Sequence, residues 1–73
     1  MGVRDELMEH VPRLRRYARA LINNRDLADD LVQDTLERAL SRWHLRRTEG
    51  NVRGWLYTIL YNRFLTAATP RPY

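Results

Sequence analysis

Apolar residues recur at steps of three and four along nearly the whole chain, and no segment alternates with a period of two. That regularity confines the fold to packed helices, because a half-buried strand would need every second side chain on one face. Leu7, Val11, Leu14, Ala18 and Leu21 form the first stripe. Pro12 interrupts it, since proline lacks the backbone donor and crowds the preceding turn. Either a short turn near Arg4 to His10 precedes a helix opening at Pro12, or one helix bends there; residues 12–22 are helical on both readings. INNRD then stops the helix, with Asn23 or Asn24 suited to a left-handed cap or to capping the next helix. A second stripe, Leu27, Leu31, Val32, Leu36, Ala39, Leu40 and Trp43, predicts a helix over about residues 26–43. HLRRTEGN breaks the pattern, with Gly50 and Asn51 as turn and cap residues. Val52, Trp55, Leu56, Ile59 and Leu60 predict a third helix over about residues 52–65. The two prolines of TPRPY end regular structure. The expected fold class is all-α, a small three-helix bundle whose first helix is bent or started at Pro12. Residues 1–68 are expected to form the domain, and 69–73 the start of a linker or a disordered tail.

The chain has 73 residues, 44% of them apolar and 30% charged, which fits a single globular domain rather than a disordered segment. Without cysteine, disulfides and thiolate metal sites are excluded, and a reducing compartment is favoured. The start, MGVRDELMEH, has no apolar run of the kind a signal peptide carries, and no stretch approaches the roughly 18 apolar residues of a membrane span. All 13 basic residues are arginine and the net charge is +4. The guanidinium fork suits phosphates and carboxylates and stacks on rings, so a polyanionic partner is expected.

Against that basic background LADDLVQDTLERAL carries Asp29, Asp30, Asp34 and Glu37. Carboxylates in a helix's first turn gain about 0.3–1 kcal/mol each from the helix dipole, which accounts for Asp26 and Asp29 and, at the limit of its reach, for Asp30. Asp34 and Glu37 lie too deep for that. Asp34 can pair with Arg38 at i+4, but Asp26–Asp30 and Asp30–Asp34 are like-charge pairs at the same spacing. The face therefore does little for its own helix, which leaves a solvated surface or a docking surface for a basic partner. In the third helix, Tyr57 and Tyr61 are expected to stack on one exposed side, away from the Val52–Leu56–Ile59 stripe, with Arg46, Arg47 and Arg53 at the N-terminal end and Asn51, Asn62 and Arg63 adding polar reach. Rings interleaved with arginine suit unpaired bases and phosphates. Arg13, Arg15, Arg16 and Arg19 of the first helix widen the basic surface or are solvated.

The segments RLRRYARAL, DLADDLVQDTLERAL and GNVRGWLYTILYNRF, in this order over about residues 11–65, resemble region 2 of bacterial sigma factors, above all the extracytoplasmic-function (ECF) group of the sigma-70 family. The resemblance implies that the second helix docks on the clamp helices of the RNA polymerase β′ subunit through Asp30, Leu31, Val32, Gln33, Asp34 and Glu37. It implies that the loop carrying Arg46, Arg47 and Asn51, and the helix carrying Arg53, Trp55, Tyr57, Thr58, Tyr61, Asn62 and Arg63, recognise the −10 promoter element, largely as a single non-template strand with a flipped base. Further implications are an anti-sigma factor as a partner, no cofactor, a monomer in isolation, and a cytoplasmic, nucleoid-associated location. Some positions depart from the family's pattern. Val52 and Leu56 stand where housekeeping factors carry aromatics, Tyr61 where related sequences often have Arg, and Gly54 where Ala is common. The group's second domain, which reads the −35 element, is not in the sequence, so an excised domain or truncated product is expected rather than a complete initiation factor.

An enzyme is not expected: there is no cysteine and no Gly-rich phosphate loop, His10 and His44 lie far apart, and Asp29 and Asp30 as neighbours point in different directions. Two rival readings remain. One is a sigma-like mimic that binds an anti-sigma factor without binding DNA. The other is a helical module that reads duplex DNA with its third helix.

Overall fold

The computed structural model describes residues 2–45 and 51–68, and within them the chain forms four helices and one 3-10 turn. A short helix, α1, spans Val3–Met8, and α2 spans Val11–Leu21. Of the two readings around Pro12, the separate short helix is the one adopted. Pro12 is the second residue of α2, where the backbone donor it lacks would have no intrahelical acceptor, so the proline starts the helix at no cost in hydrogen bonds.

Helix α3 spans Arg25–Ser41, and Asn24 caps it: its side-chain oxygen accepts from the Leu27 N–H at 3.0 Å. A 3-10 turn over Trp43–Leu45 follows. Helix α4 spans Val52–Ala68, three residues beyond the expected end. Asn51 opens it, its side-chain oxygen accepting from Arg53 at 3.0 Å and Gly54 at 3.4 Å. Two of the helix's otherwise orphaned donors are thereby satisfied. A Cβ at Gly54 would meet only Asn51 side-chain atoms, the nearer at 3.9 Å, so space does not require glycine there.

Helices α2, α3 and α4 pack on one another in a triangle, with α3 also carrying α1. Leu7, Leu14, Leu31, Val32, Leu56 and Leu60 fill the core, and Ala18, Ala28 and Ala39 are buried where helices approach closely. Thr35 is the buried polar residue among those described, its hydroxyl donating to the Leu31 carbonyl at 2.8 Å. The inner stripe of α3 is therefore Ala28, Leu31, Val32, Thr35 and Ala39. Two residues expected to face inward do not: Leu27 is 54% exposed and Leu40 also lies open to solvent. The stripe is rotated because small Ala and Thr side chains, weak as hydrophobic signals, occupy the close approaches. On the rim, Trp43 meets Trp55 edge-on with ring centroids 5.9 Å apart, tying the end of α3 to the start of α4.

Candidate partner and nucleic-acid surfaces

The six residues of the α3 motif separate into three environments. Leu31 and Val32 are buried in the core and hold the helix in place, and Leu31 reaches the lining of a groove beside Asp30 and Asp34. Asp30, Gln33 and Glu37 are exposed, and Asp34 is half-buried. Asp34 does not pair with Arg38, as the i+4 spacing suggested. Its carboxylate accepts from the Arg63 Nε–H at 2.6 Å, a charge-assisted bond between α3 and α4. The tertiary pairing wins because Arg63 reaches Asp34 across the helix seam, where partial burial strengthens the attraction.

The carboxylates form a ridge between two grooves. On one side Asp30 and Asp34 border a depression of about 500 Å³, also lined by Ile22, Leu27, Arg63 and Phe64. On the other, Gln33 and Glu37 border one of about 350 Å³ under α1, lined by Arg4, Leu7, Met8, Leu36 and Leu40. Neither groove was foreseen from the residues alone. Leu27, Asp30 and Asp34 fall at steps of three and four and so share a helix face, but only the Ala28 register turns that face outward.

The residues expected on the nucleic-acid side are spread over more than one face of α4. Arg46 and Arg47 lie outside the described residues. Asn51 is exposed, with its side-chain oxygen committed to the cap. Arg53, Thr58 and Asn62 are exposed, and the Thr58 hydroxyl donates to the Gly54 carbonyl at 2.9 Å. Trp55 is half-buried against Trp43. Tyr57 and Tyr61 do not form a matched exposed pair. Tyr57 is half-buried, its ring 5.1 Å from that of Tyr17 on α2, because the 100° helical step carries it back toward the α2–α4 seam. Tyr61 is 42% exposed beside Phe64, and Leu65 is equally open. Arg63 lies about 120° round the helix from Tyr57, on the side of Asp34.

In a triangle of helices the α2–α4 seam lies across the bundle from the solvent face of α3. The carboxylate ridge and the Tyr17–Tyr57 rings therefore open in different directions. Among the described residues no group of three or more His, Asp or Glu could hold a metal ion, and no helix is long and apolar enough to cross a membrane.

Residues 7–61 match the family model for the sigma2 domain of PhyR. Over 63 residues the chain is 47% identical to the ECF RNA polymerase sigma factor EcfG of Rhodopseudomonas palustris (strain TIE-1), covering 86% of this chain and 35% of that protein. Its structure resembles that of the sigma factor RpoE from Bartonella quintana, solved in complex with the anti-sigma factor NepR. The TM-score is 0.84 at 38% sequence identity, over 89% of this chain and 41% of the other. The chain thus spans well under half the length of either relative.

Proposed function

The chain belongs to the sigma2 family, as region 2 of an ECF-type sigma factor, and from that premise we propose that it joins RNA polymerase to an opening promoter. The α3 ridge, Asp30, Gln33, Asp34 and Glu37, meets basic residues of the β′ clamp helices. The outer side of α4 and the loop before it take the non-template strand of the −10 element. The observation that carries this reading is the open ridge of carboxylates in an otherwise arginine-rich domain, on a different side of the bundle from the Tyr17–Tyr57 ring pair. Among the described residues the two surfaces are joined by the Asp34–Arg63 bridge.

Exposed Tyr61 is the direct probe of strand recognition. Base–aromatic stacking contributes about 1–3 kcal/mol per base, so Tyr61→Ala is expected to weaken binding to an unpaired −10 strand by about fivefold or more. Binding to the matched duplex should change little, because a paired base is not free to stack. Equal loss on both would favour a module that reads duplex DNA.

A second reading has its own support. The family model is described for PhyR, and the structural relative was captured with an anti-sigma factor. On that reading the domain is a sigma-like mimic that binds an anti-sigma factor and no DNA. Binding to an anti-sigma factor fits both readings; binding to the unpaired strand separates them.

A further inference from the structure

The seam between α2 and α4 holds a cleft in which the family resemblance assigns a role to Tyr57 but none to its α2 side. Arg13, Arg16 and Tyr17 of α2 and Tyr57 of α4 line an open depression of about 280 Å³. Its floor is the ring pair, tilted at 54° with centroids 5.1 Å apart. Both rings are half-buried and packed against the core, so they are held in place with part of each ring open. Its walls are two exposed guanidinium side chains one turn apart on α2.

Folding accounts for Arg19, in the last turn of α2 where the helix dipole favours a cation, but not for Arg13 and Arg16. The helix carries four arginines and no acidic residue, and none stands in its first turn. A helix N-terminus favours carboxylates and disfavours cations, so Arg13, the third residue of α2, opposes the local dipole. Arg13 and Arg16 also repel each other at i,i+3. Among the described residues the ion pair belongs to Arg63 and Asp34, so neither cleft arginine is neutralised that way. The cleft is a basic site that no carboxylate of the described residues neutralises, and its floor is aromatic. A free anion would use the guanidiniums and leave the rings unused; a nucleotide uses both.

We propose that this cleft is a nucleotide subsite for unpaired DNA: Arg13 and Arg16 hold one backbone phosphate, and Tyr17 and Tyr57 carry the adjoining base or sugar. The subsite rests on the strand-binding reading and extends the strand's path from α4 onto α2. Arg13 and Arg16 thereby become specific phosphate ligands, distinct from the other arginines of the same helix.

Arg15 and Arg19 supply the charge-matched control, being exposed on α2 and absent from the cleft lining. The experiment measures binding of a dye-labelled single strand as a function of salt, for the unaltered chain, R13Q/R16Q and R15Q/R19Q. The R13Q/R16Q chain should bind about tenfold more weakly at low salt. Its log–log salt slope should be shallower by about 0.7, the value for one single-strand phosphate no longer neutralised. The R15Q/R19Q chain should keep the slope of the unaltered protein. R13Q/R16Q should melt no lower than the unaltered chain, because Arg13 opposes the dipole of α2 and Arg16 is solvated, while R15Q/R19Q should melt slightly lower, having lost the favourable charge of Arg19 in the last turn. An unchanged slope in R13Q/R16Q, or an equal change in both variants, overturns the subsite and leaves strand binding standing. No binding by the unaltered chain overturns both.

Discussion

Asp34 lies at the edge of the α3 ridge, yet its carboxylate is bonded to Arg63, 29 residues further along the chain. The side chains of Arg63 and Asp34 are 29% and 39% exposed. At that exposure solvent screens the pair, and its contribution is expected to stay under about 1 kcal/mol. A double-mutant cycle with Asp34→Asn and Arg63→Gln, read by urea unfolding, should give a coupling of that size that shrinks as salt is added. A coupling above about 2 kcal/mol would mean that the bridge is structural, and that Asp34 is not available to a second protein. The bridge was not legible in the sequence, where helical spacing shows only neighbours three and four residues away and so pointed to Arg38. Asn51 was legible as a cap and Asn24 as one of two neighbouring candidates, because such caps act on donors within three residues of themselves.

At the scale of the helices, the order and approximate limits of the three long elements could be read from apolar spacing, and the role of Pro12 from its missing donor. The rotation of α3 could not. Ala39 faces inward as its spacing indicates. Leu27 and Leu40 outweigh Ala28 and Thr35 on any hydrophobic count, yet the small residues occupy the seams because a close helix approach leaves no room for larger ones. The register makes opposite predictions for adjacent positions. Leu27→Gln should change unfolding stability by no more than about 0.5 kcal/mol, as a surface substitution does. Ala28→Leu should cost about 1–3 kcal/mol through overpacking. Thermal or urea melts of the two variants check this; the reverse ranking would place Leu27 in the core. The α4 surface was half legible for a similar reason. Tyr57 and Tyr61 do lie one turn apart, but a ring on a bundle's flank turns toward whichever neighbour it can reach, and Tyr57 reaches Tyr17.

As a whole molecule, this is a small bundle in which α3 lies against the other three helices, with carboxylates on its own outer side and the Tyr17–Tyr57 rings at the opposite seam. A domain of this size buries only about 60% of the surface its unfolded chain exposes, so little stability is spare. Charges kept on a face where they repel one another imply a use outside the fold. Asp30 and Glu37 are exposed surface residues of α3, so they can be neutralised with little effect on folding. If the two surfaces serve different partners independently, one substituted protein should separate them. An Asp30→Asn/Glu37→Gln chain is assayed both for capture of polymerase core and for affinity to an unpaired −10 non-template strand. Capture should fall by about tenfold or more while strand affinity stays within about twofold. Loss of both together, or of neither, would contradict that independence.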